Sequence, residues 1–558
     1  MIYKNFKLQS DSYFWFFMAF AIAINAVSLF TVVMDQDSAL YASLAKSMYQ
    51  LGDWVNLFIL GEDWLDKPHL PFWITAFSFQ IFGVSAFAYK FPSFLVCLLG
   101  VFYTYRLAEL LYNKKVAQTA SIIFLTSLHL LLANFDVRAE GYLTTFIIAG
   151  TYHLYRVYGN AGWRHIVLAS LFCAAAVMTK GIFVLLTLVG GFVLYWITTK
   201  QWQQFVNWKW WLILLFTFLM MTPELYCLYV QFDLHPEKTV FGEQNVSGLR
   251  FFFWDSQFGR FFNTGPIRGK GDISFFVHST LWAFLPWSVG LVMGGIVFFK
   301  RLKQQFDRKI MILVWSAALT FLLFSFSKFQ LPHYIVILFP HFAVFVAIWL
   351  MTLKNNEKRT MTWSVWIVIL LLTGIVILLS VIFPFFNLWL IMAVIITILL
   401  ALIGFRKSEW LNRFLWRGIC FSFLCSVFFA QFIYVALMQY NAGMNAALWI
   451  NQNHRNEKVI MLANRSVSAI FYLQPEFEAK EQLTIGDFSE PDQPILVFCP
   501  VSSIPDIVSQ DIDVEILEEF DYYRITMLTT RFLSSKSRPS QLKKFAVVRC
   551  TQQKSDGT

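Results

Sequence analysis

Residues 361–405 read MTWSVWIVILLLTGIVILLSVIFPFFNLWLIMAVIITILLALIGF. Two apolar runs, 361–383 and 385–405, stand back to back with Pro384 at the joint and no charged side chain in either. Runs of that kind are what the hydrocarbon core of a bilayer selects, because ~20 helical residues cross it with every backbone group bonded internally. Working outward, comparable runs lie near 13–33, 85–112, 116–134, 141–158, 164–179, 181–199, 209–230, 276–299, 310–327, 331–353 and 415–438. The pattern predicts about 13 transmembrane helices. Composition agrees: of 558 residues 58% are hydrophobic and 14% charged, with 62 Phe and 21 Trp. A soluble domain carries about 25% charged residues. Disordered, collagen-like and disulfide-stapled miniproteins are excluded, and the fold class is a polytopic α-helical membrane protein.

The net charge of +10 has a topological reading. With Lys4 and Lys7 on the cytoplasmic side, every second connection is short and basic, from Lys114 and Lys115 to Arg406 through Arg417. This is the positive-inside pattern. The basic start and the long first run, with no small-residue cleavage site after it, predict a retained first helix. An odd number of spans then puts the C-terminal segment outside. From about 441 the composition turns to mixed polar and apolar stretches, among them VIMLA and ILVFC, which read as buried strands. The expected division is 1–440 as a transmembrane catalytic domain, 441–550 as a small extracytoplasmic α/β domain, and 551–558 as a disordered tail. Five of the seven cysteines lie in apolar runs; Cys499 and Cys550 lie in the C-terminal domain, and whether they pair stays open.

The outer connections differ from the inner ones. Two are long, 34–84 and 231–275, and the first holds SALYASLAKSMYQLG and LPFWITAFSFQIFG, which predict amphipathic helices lying at the interface. Charges there sit in tight turns beside apolar helices, where they are costly unless partnered or used. Asp35 and Asp37 follow the first helix, with Tyr41 one turn on. A carboxylate at the outer mouth of a bundle can act as a general base toward a sugar hydroxyl. GEDWLDKPHLPFW supplies Asp66, Lys67 and His69, the last more simply a hydrogen-bonding loop residue than a metal ligand. Arg138 and Glu140 in FDVRAEG, Lys180 in MTKG, Arg260 in the second long loop, and Lys328 with Tyr334 in SFSKFQLPHY complete the set. Lys67, Arg138, Lys180, Arg260 and Lys328 together suit a cavity for an anionic, lipid-linked ligand.

The order D-x-D-x-x-x-YA, GDW, DKPxLPFW and FGVSAFAYKFPS, followed by VRAEGYLTTF, VMTKGIF, WAFLPWS and FSKFQLPHYIVILFP, resembles the membrane glycosyltransferases of the GT-C class. Within it the chain is most similar to the bacterial aminoarabinose lipid A transferases and their protein O-mannosyltransferase relatives, over roughly residues 1–350. The resemblance implies a bundle of about a dozen spans in the bacterial inner membrane, with interfacial helices and a small outer C-terminal domain. It implies Asp37 as the catalytic base, Asp66 as an acidic companion, Lys67 as a donor-phosphate ligand, and Lys180, Lys328 and Tyr334 as cavity residues. Two positions depart from the aminoarabinose enzymes: Leu40 stands at their Arg, and Arg268 about where they have a His proposed as a metal ligand.

The activity expected is inverting transfer of a sugar from a polyprenyl phosphate carrier to a lipid A-like acceptor at the outer face of the membrane, or to a protein Ser or Thr. Asp37 would deprotonate the acceptor, with Lys67, Arg260 and Lys328 steadying the leaving phosphate and Asp35, Tyr41, Arg138, Glu140 and Lys180 lining the cavity. No cofactor is required, and a monophosphate leaving group needs no divalent metal; metal ligands stay unassigned. A transporter would carry ionisable residues near the midplane and related halves, neither of which is seen. An inactive lipid-binding relative is the remaining alternative. Nothing in the sequence names the sugar.

Overall fold

The computed structural model describes residues 11–34, 36–301, 308–383, 387–463, 465–488 and 494–552. Asp35 and the last residues, 553–558, lie outside them.

Each apolar run of the sequence becomes a helix or a broken helix. The first nine helices are α1 (Asp11–Ala26), α2 (Asp37–Leu51), α3 (Leu70–Phe82), α4 (Ala86–Leu111), α5 (Lys114–Leu125), α6 (Leu128–Phe135), α7 (Ala139–Tyr158), α8 (Trp163–Lys180) and α9 (Val184–Thr198). Long apolar helices or helix groups follow at Trp208–Asp233, Pro332–Leu350, Asn355–Ile382 and Trp410–Tyr440. By length and composition six helices among the described residues can cross a membrane, or seven if one bent pair is a single span; several more are apolar but shorter. The helix starts have local causes. Ser85 and Asn113 side chains accept from the Ala88 and Val116 amides, satisfying donors that the first turns of α4 and α5 leave unpaired.

Two runs expected as single helices are broken. The 116–134 run bends by 53° between α5 and α6. The Thr126 and Ser127 hydroxyls bond back to the Ile122 and Phe124 carbonyls at 2.6 and 2.8 Å, and the Leu128 amide leaves the helix to donate to Leu285 at 2.9 Å. The 276–299 run splits into Phe275–Ala283 and Ser288–Arg301 around Pro286, which has no amide to continue the ladder.

The first long outer connection holds α2, α3 and, between them, the two-residue strands β1 (Phe58–Ile59) and β2 (Glu62–Asp63). So both short amphipathic stretches are helices, as their sequence suggests. The second holds β3 (Thr239–Val240), β4 (Glu243–Gln244) and a helical segment over 248–262.

The C-terminal region builds one five-stranded sheet from β5 (Val459–Leu462), β6 (Phe477–Lys480), β7 (Ile495–Pro500), β8 (Ile512–Tyr522) and β9 (Lys543–Gln552), in the order β6-β5-β7-β9-β8. β5 runs parallel to β6 and β7, and β9 antiparallel to β7 and β8. Alternate residues fill two layers: Val459, Met461, Phe498 and Val547 on one face, Ile460, Val497 and Val548 on the other. The ordered strand runs past the expected tail boundary, because Thr551 and Gln552 pair with Asp513 and Ile512. Cys499 and Cys550 lie on adjacent strands as buried free thiols; their ladder partners are Ala546 and Ile495, so they do not face each other.

This region is seated on α2. The buried ammonium of Lys46 donates to the carbonyls of Ile470, Phe471 and Leu473 at 2.8, 3.1 and 2.5 Å, closing the end of the helix Val467–Tyr472. A cation at a helix C-terminus meets both unpaired carbonyls and the negative end of the dipole. The Tyr472 hydroxyl accepts from the Val33 amide at 2.6 Å, four residues before Asp37.

Candidate active site

A cavity of about 120 Å³ opens between the two long outer connections and the helices that follow them. Its charged wall carries Asp66, Lys67, Glu140, Lys180, Glu224 and Arg260; its apolar wall is rich in phenylalanine, with Phe183, Phe251, Phe252, Phe276 and Phe324. The charged residues come from five separate stretches of chain.

The first is the turn before α3. Asp66 bridges two cations: one carboxylate oxygen contacts the Lys67 ammonium and the other the Arg260 guanidinium. All three side chains are largely buried. Burial works to raise the Asp66 carboxyl, but Lys67 and Arg260 outweigh it and hold the group below the ordinary carboxylate range. Burial also draws the Lys67 ammonium below its ordinary value, against the pull of Asp66. Arg260 lies under the Phe329 ring, 5.6 Å from its centroid.

Two residues on, His69 belongs to the frame and not to the chemistry. Its ring nitrogens meet Glu224 Oε1 and the Val55 carbonyl, each at 3.0 Å, and its amide donates to Glu224 Oε2 at 2.9 Å. Pinning this turn to Glu224 fixes where Asp66 and Lys67 point.

Arg138, at the start of α7, is a hub. Nε and Nη2 both reach Asp136 Oδ2 at 2.8 Å, and Nη1 reaches Asp37 Oδ2 at 2.9 Å and His333 Nδ1 at 3.1 Å. Burial would lower the guanidinium, but Asp136 and Asp37 raise it above its ordinary value. A guanidinium only donates, so His333 Nδ1 must carry its lone pair and its proton sits on Nε2. That nitrogen faces Glu140 Oε1 at 3.7 Å. Asp37 itself opens α2, its side chain 45% exposed, with no partner among the described residues for Oδ1. The neighbouring Tyr41 packs edge-on to Phe72 and Trp64; burial first, then the charges of Asp66 and Asp37, raise its hydroxyl well above the ordinary value.

Glu140 and Lys180 form a second buried ion pair, and the Lys180 ammonium sits 3.5 Å from the centroid of the Tyr334 ring. Gly181 explains the MTKG motif. Its φ of +94° ends α8, and a Cβ there would lie 2.1 Å from Gln257 Nε2, which donates to the Lys180 carbonyl at 3.1 Å. Gly271 serves the second loop in the same way: a Cβ would meet the Ser327 carbonyl at 2.2 Å.

Nine of the residues singled out from sequence therefore meet: Asp37, Tyr41, Asp66, Lys67, Arg138, Glu140, Lys180, Arg260 and Tyr334. Lys328 does not join them. Its side chain is exposed, off the cavity wall and without a partner among the described residues, because the close approach of Gly269 and Gly271 holds its backbone instead. Arg268 is also exposed, its Nε reaching the Gly265 carbonyl at 3.4 Å. Among the described residues no three His, Cys, Asp or Glu side chains converge to hold a metal ion. Of the three carboxylates that line the cavity, Asp66 is paired with Lys67 and Arg260, Glu140 with Lys180, and Glu224 with His69. The sequence reading overlooked Asp136 and did not single out His333. A carboxylate two residues before Arg138 in one tight turn was the available signal for the first.

Residues 66–227 match the family described as dolichyl-phosphate-mannose-protein mannosyltransferase. The undecaprenyl phosphate-alpha-4-amino-4-deoxy-L-arabinose arabinosyl transferase of Edwardsiella ictaluri is 26% identical over 337 residues, 59% of this chain and 58% of that protein. Its Yersinia pestis namesake is 23% identical over 350 residues, 62% of this chain and 59% of that protein. The matches thus span under two thirds of the length of these curated relatives. ArnT from Cupriavidus metallidurans bound to undecaprenyl phosphate superposes with a TM-score of 0.74 at 16% identity, covering 97% of this chain and 98% of that one. Its apo form gives 0.72 over the same shares. The chain therefore has the GT-C fold of that transferase, and in sequence it is similar to the aminoarabinose transferases.

Proposed function

We propose that the protein is an inverting glycosyltransferase that moves a sugar from a polyprenyl phosphate carrier to a lipid A-like acceptor at the outer face of the bacterial cytoplasmic membrane. The observation that carries this is the cavity itself: two buried cations, Lys67 and Arg260, border a phenylalanine-lined wall, and a half-exposed carboxylate, Asp37, is linked to that wall through Arg138, His333 and Glu140. An apolar wall suits an isoprenoid tail, fixed cations suit its phosphate, and the open carboxylate suits a hydroxyl arriving from water.

Asp37 Oδ1 takes the proton of the acceptor hydroxyl while Oδ2 stays on Arg138. The acceptor oxygen attacks the anomeric carbon from the face opposite the phosphate, the carbon–oxygen bond to phosphate breaks, and Lys67 and Arg260 hold the charge that develops. Tyr334, held against Lys180, borders the same site. Asp66 orients both phosphate-binding cations, and Tyr41, Arg138, Glu140 and Lys180 shape the sugar end. About 13 spans, a cytoplasmic N-terminus and an outer C-terminal domain over 441–550 complete the reading; the positive-inside pattern supports the orientation. The match to mannosyltransferases over 66–227 supports testing a protein Ser or Thr as the second acceptor class.

The test is transfer of radiolabelled sugar from polyprenyl phosphate donors by the purified protein in lipid, with glycolipid and peptide acceptors in parallel. Asp37→Asn should retain donor binding and lose transfer by at least ~100-fold. Near-normal turnover in that variant would remove Asp37 from the role.

A further inference from the structure

Transfer converts the phosphate from a diester to a monoester. The donor carries one negative charge; the carrier left behind approaches two at neutral pH, since a monoester's second pKa is about 6. A site that holds both species equally would be clogged by its product. The charges around Asp66 bear on this. Lys67 and Arg260 each contact one oxygen of its carboxylate, so the three groups present a single net positive charge to the cavity. The other two carboxylates of the wall are each held against a basic group, Glu140 against Lys180 and Glu224 against His69, whose two ring nitrogens both face acceptors, so neither pair adds net charge. Arg260 Nε is buried with no acceptor among the described residues, a donor left over for a ligand.

We infer that Asp66 selects the charge state of the bound phosphate: its carboxylate matches the site to a singly charged diester and repels the doubly charged monoester, so that product leaves. This rests on the donor class proposed above. A singly charged group neutralises the triad. A doubly charged one leaves a negative charge beside the Asp66 carboxylate in a weakly screening cavity, where like charges repel strongly. The depressed carboxyl of Asp66 fits a group that stays ionised while ligands exchange.

The experiment is binding of two probes to the full chain in lipid nanodiscs: farnesyl phosphate as the monoester and methyl farnesyl phosphate as the diester. Asp66→Asn should tighten the monoester by roughly 10- to 100-fold and the diester by no more than a few-fold. Asp66→Glu, which keeps the charge, should keep the wild-type ratio. If Asp66 only holds Lys67 and Arg260 in place, the neutral variant weakens both probes alike, and the inference falls. Should Asp66→Asn not fold, Asp66→Ser repeats the comparison, with equal shifts for the two probes again overturning it. If wild type binds neither probe, the donor class itself is wrong and the inference goes with it. If wild type binds both and only the selectivity fails to change, the donor class stands without the charge selection.

Discussion

The Glu140–Lys180 pair allows a sharp test of how the site is held together. The Glu140 side chain is 5% exposed and that of Lys180 18%, so neither charge is well solvated. Removing one partner of a buried pair costs about 3–5 kcal/mol, because the other charge is left uncompensated. The two single variants should differ. In Lys180→Met, the one basic side chain left near the Glu140 carboxylate among the described residues is His333, Nε2 at 3.7 Å, and that ring cannot gain a second proton while Arg138 donates to Nδ1. A loss of about 3–4 kcal/mol is expected. In Glu140→Gln, Lys180 keeps the Tyr334 ring at 3.5 Å, a contact worth about 2 kcal/mol when desolvated, and retains some access to water. The loss should be nearer 2 kcal/mol. The double variant buries no unpaired charge and should cost no more than the milder single one, giving a coupling of about 3–4 kcal/mol. Reversible unfolding in mixed micelles of the four proteins measures it. A coupling within about 0.5 kcal/mol of zero would show that the two charges are independent, and would refute the pairing as an energetic unit.

The titration of Lys46 gives a pH prediction. Burial draws its ammonium from 10.5 to about 8. Between those values the unfolded chain holds the proton more tightly than the folded one, so stability should rise with pH across that window, the penalty being fully present below pH 8; the span corresponds to about 3 kcal/mol. Melting curves of wild type and Lys46→Met should diverge there, and parallel curves would contradict the burial. Gly181→Ala forces a side chain into φ +94° and onto Gln257, and is expected to lower transfer by at least ~10-fold through displacement of Lys180, measured in the radiolabel assay. By contrast Arg465→Ala should change the melting temperature little, because its contact with Glu62, one nitrogen Nη1 shared between both carboxylate oxygens, is exposed and such pairs contribute under about 1 kcal/mol. Arg260→Met should raise the donor KM more than it lowers kcat if the guanidinium holds the phosphate before as well as during transfer; an unchanged KM would argue against phosphate contact.

How much of this was legible in the sequence depended on what made each feature. Hydropathy decided the helices because a bilayer imposes one requirement on every span, and it is written into local composition. It did not reveal the bend after Leu125, where no proline or glycine stands and two hydroxyls and the distant Leu285 carbonyl make the break. The outer charges were legible for a similar reason: a charged side chain in a tight turn beside apolar helices is costly unless partnered. But cost says only that a partner exists. Lys328 and Arg260 looked alike as lone cations in outer loops, yet Arg260 finds Asp66, 194 residues away, while Lys328 faces outward. Asp136 and His333 were passed over because their value lies in orienting Arg138, a property of three side chains brought together from two turns 195 residues apart. Motif order thus locates the site, but the pairing pattern distinguishes a charge that meets a ligand from one that steadies its neighbour. On that pattern Asp37 differs from Asp66, Asp136 and Glu140: each of those lies buried against a cation, whereas the half-exposed Asp37 keeps one oxygen without a partner among the described residues, open to an acceptor arriving from water.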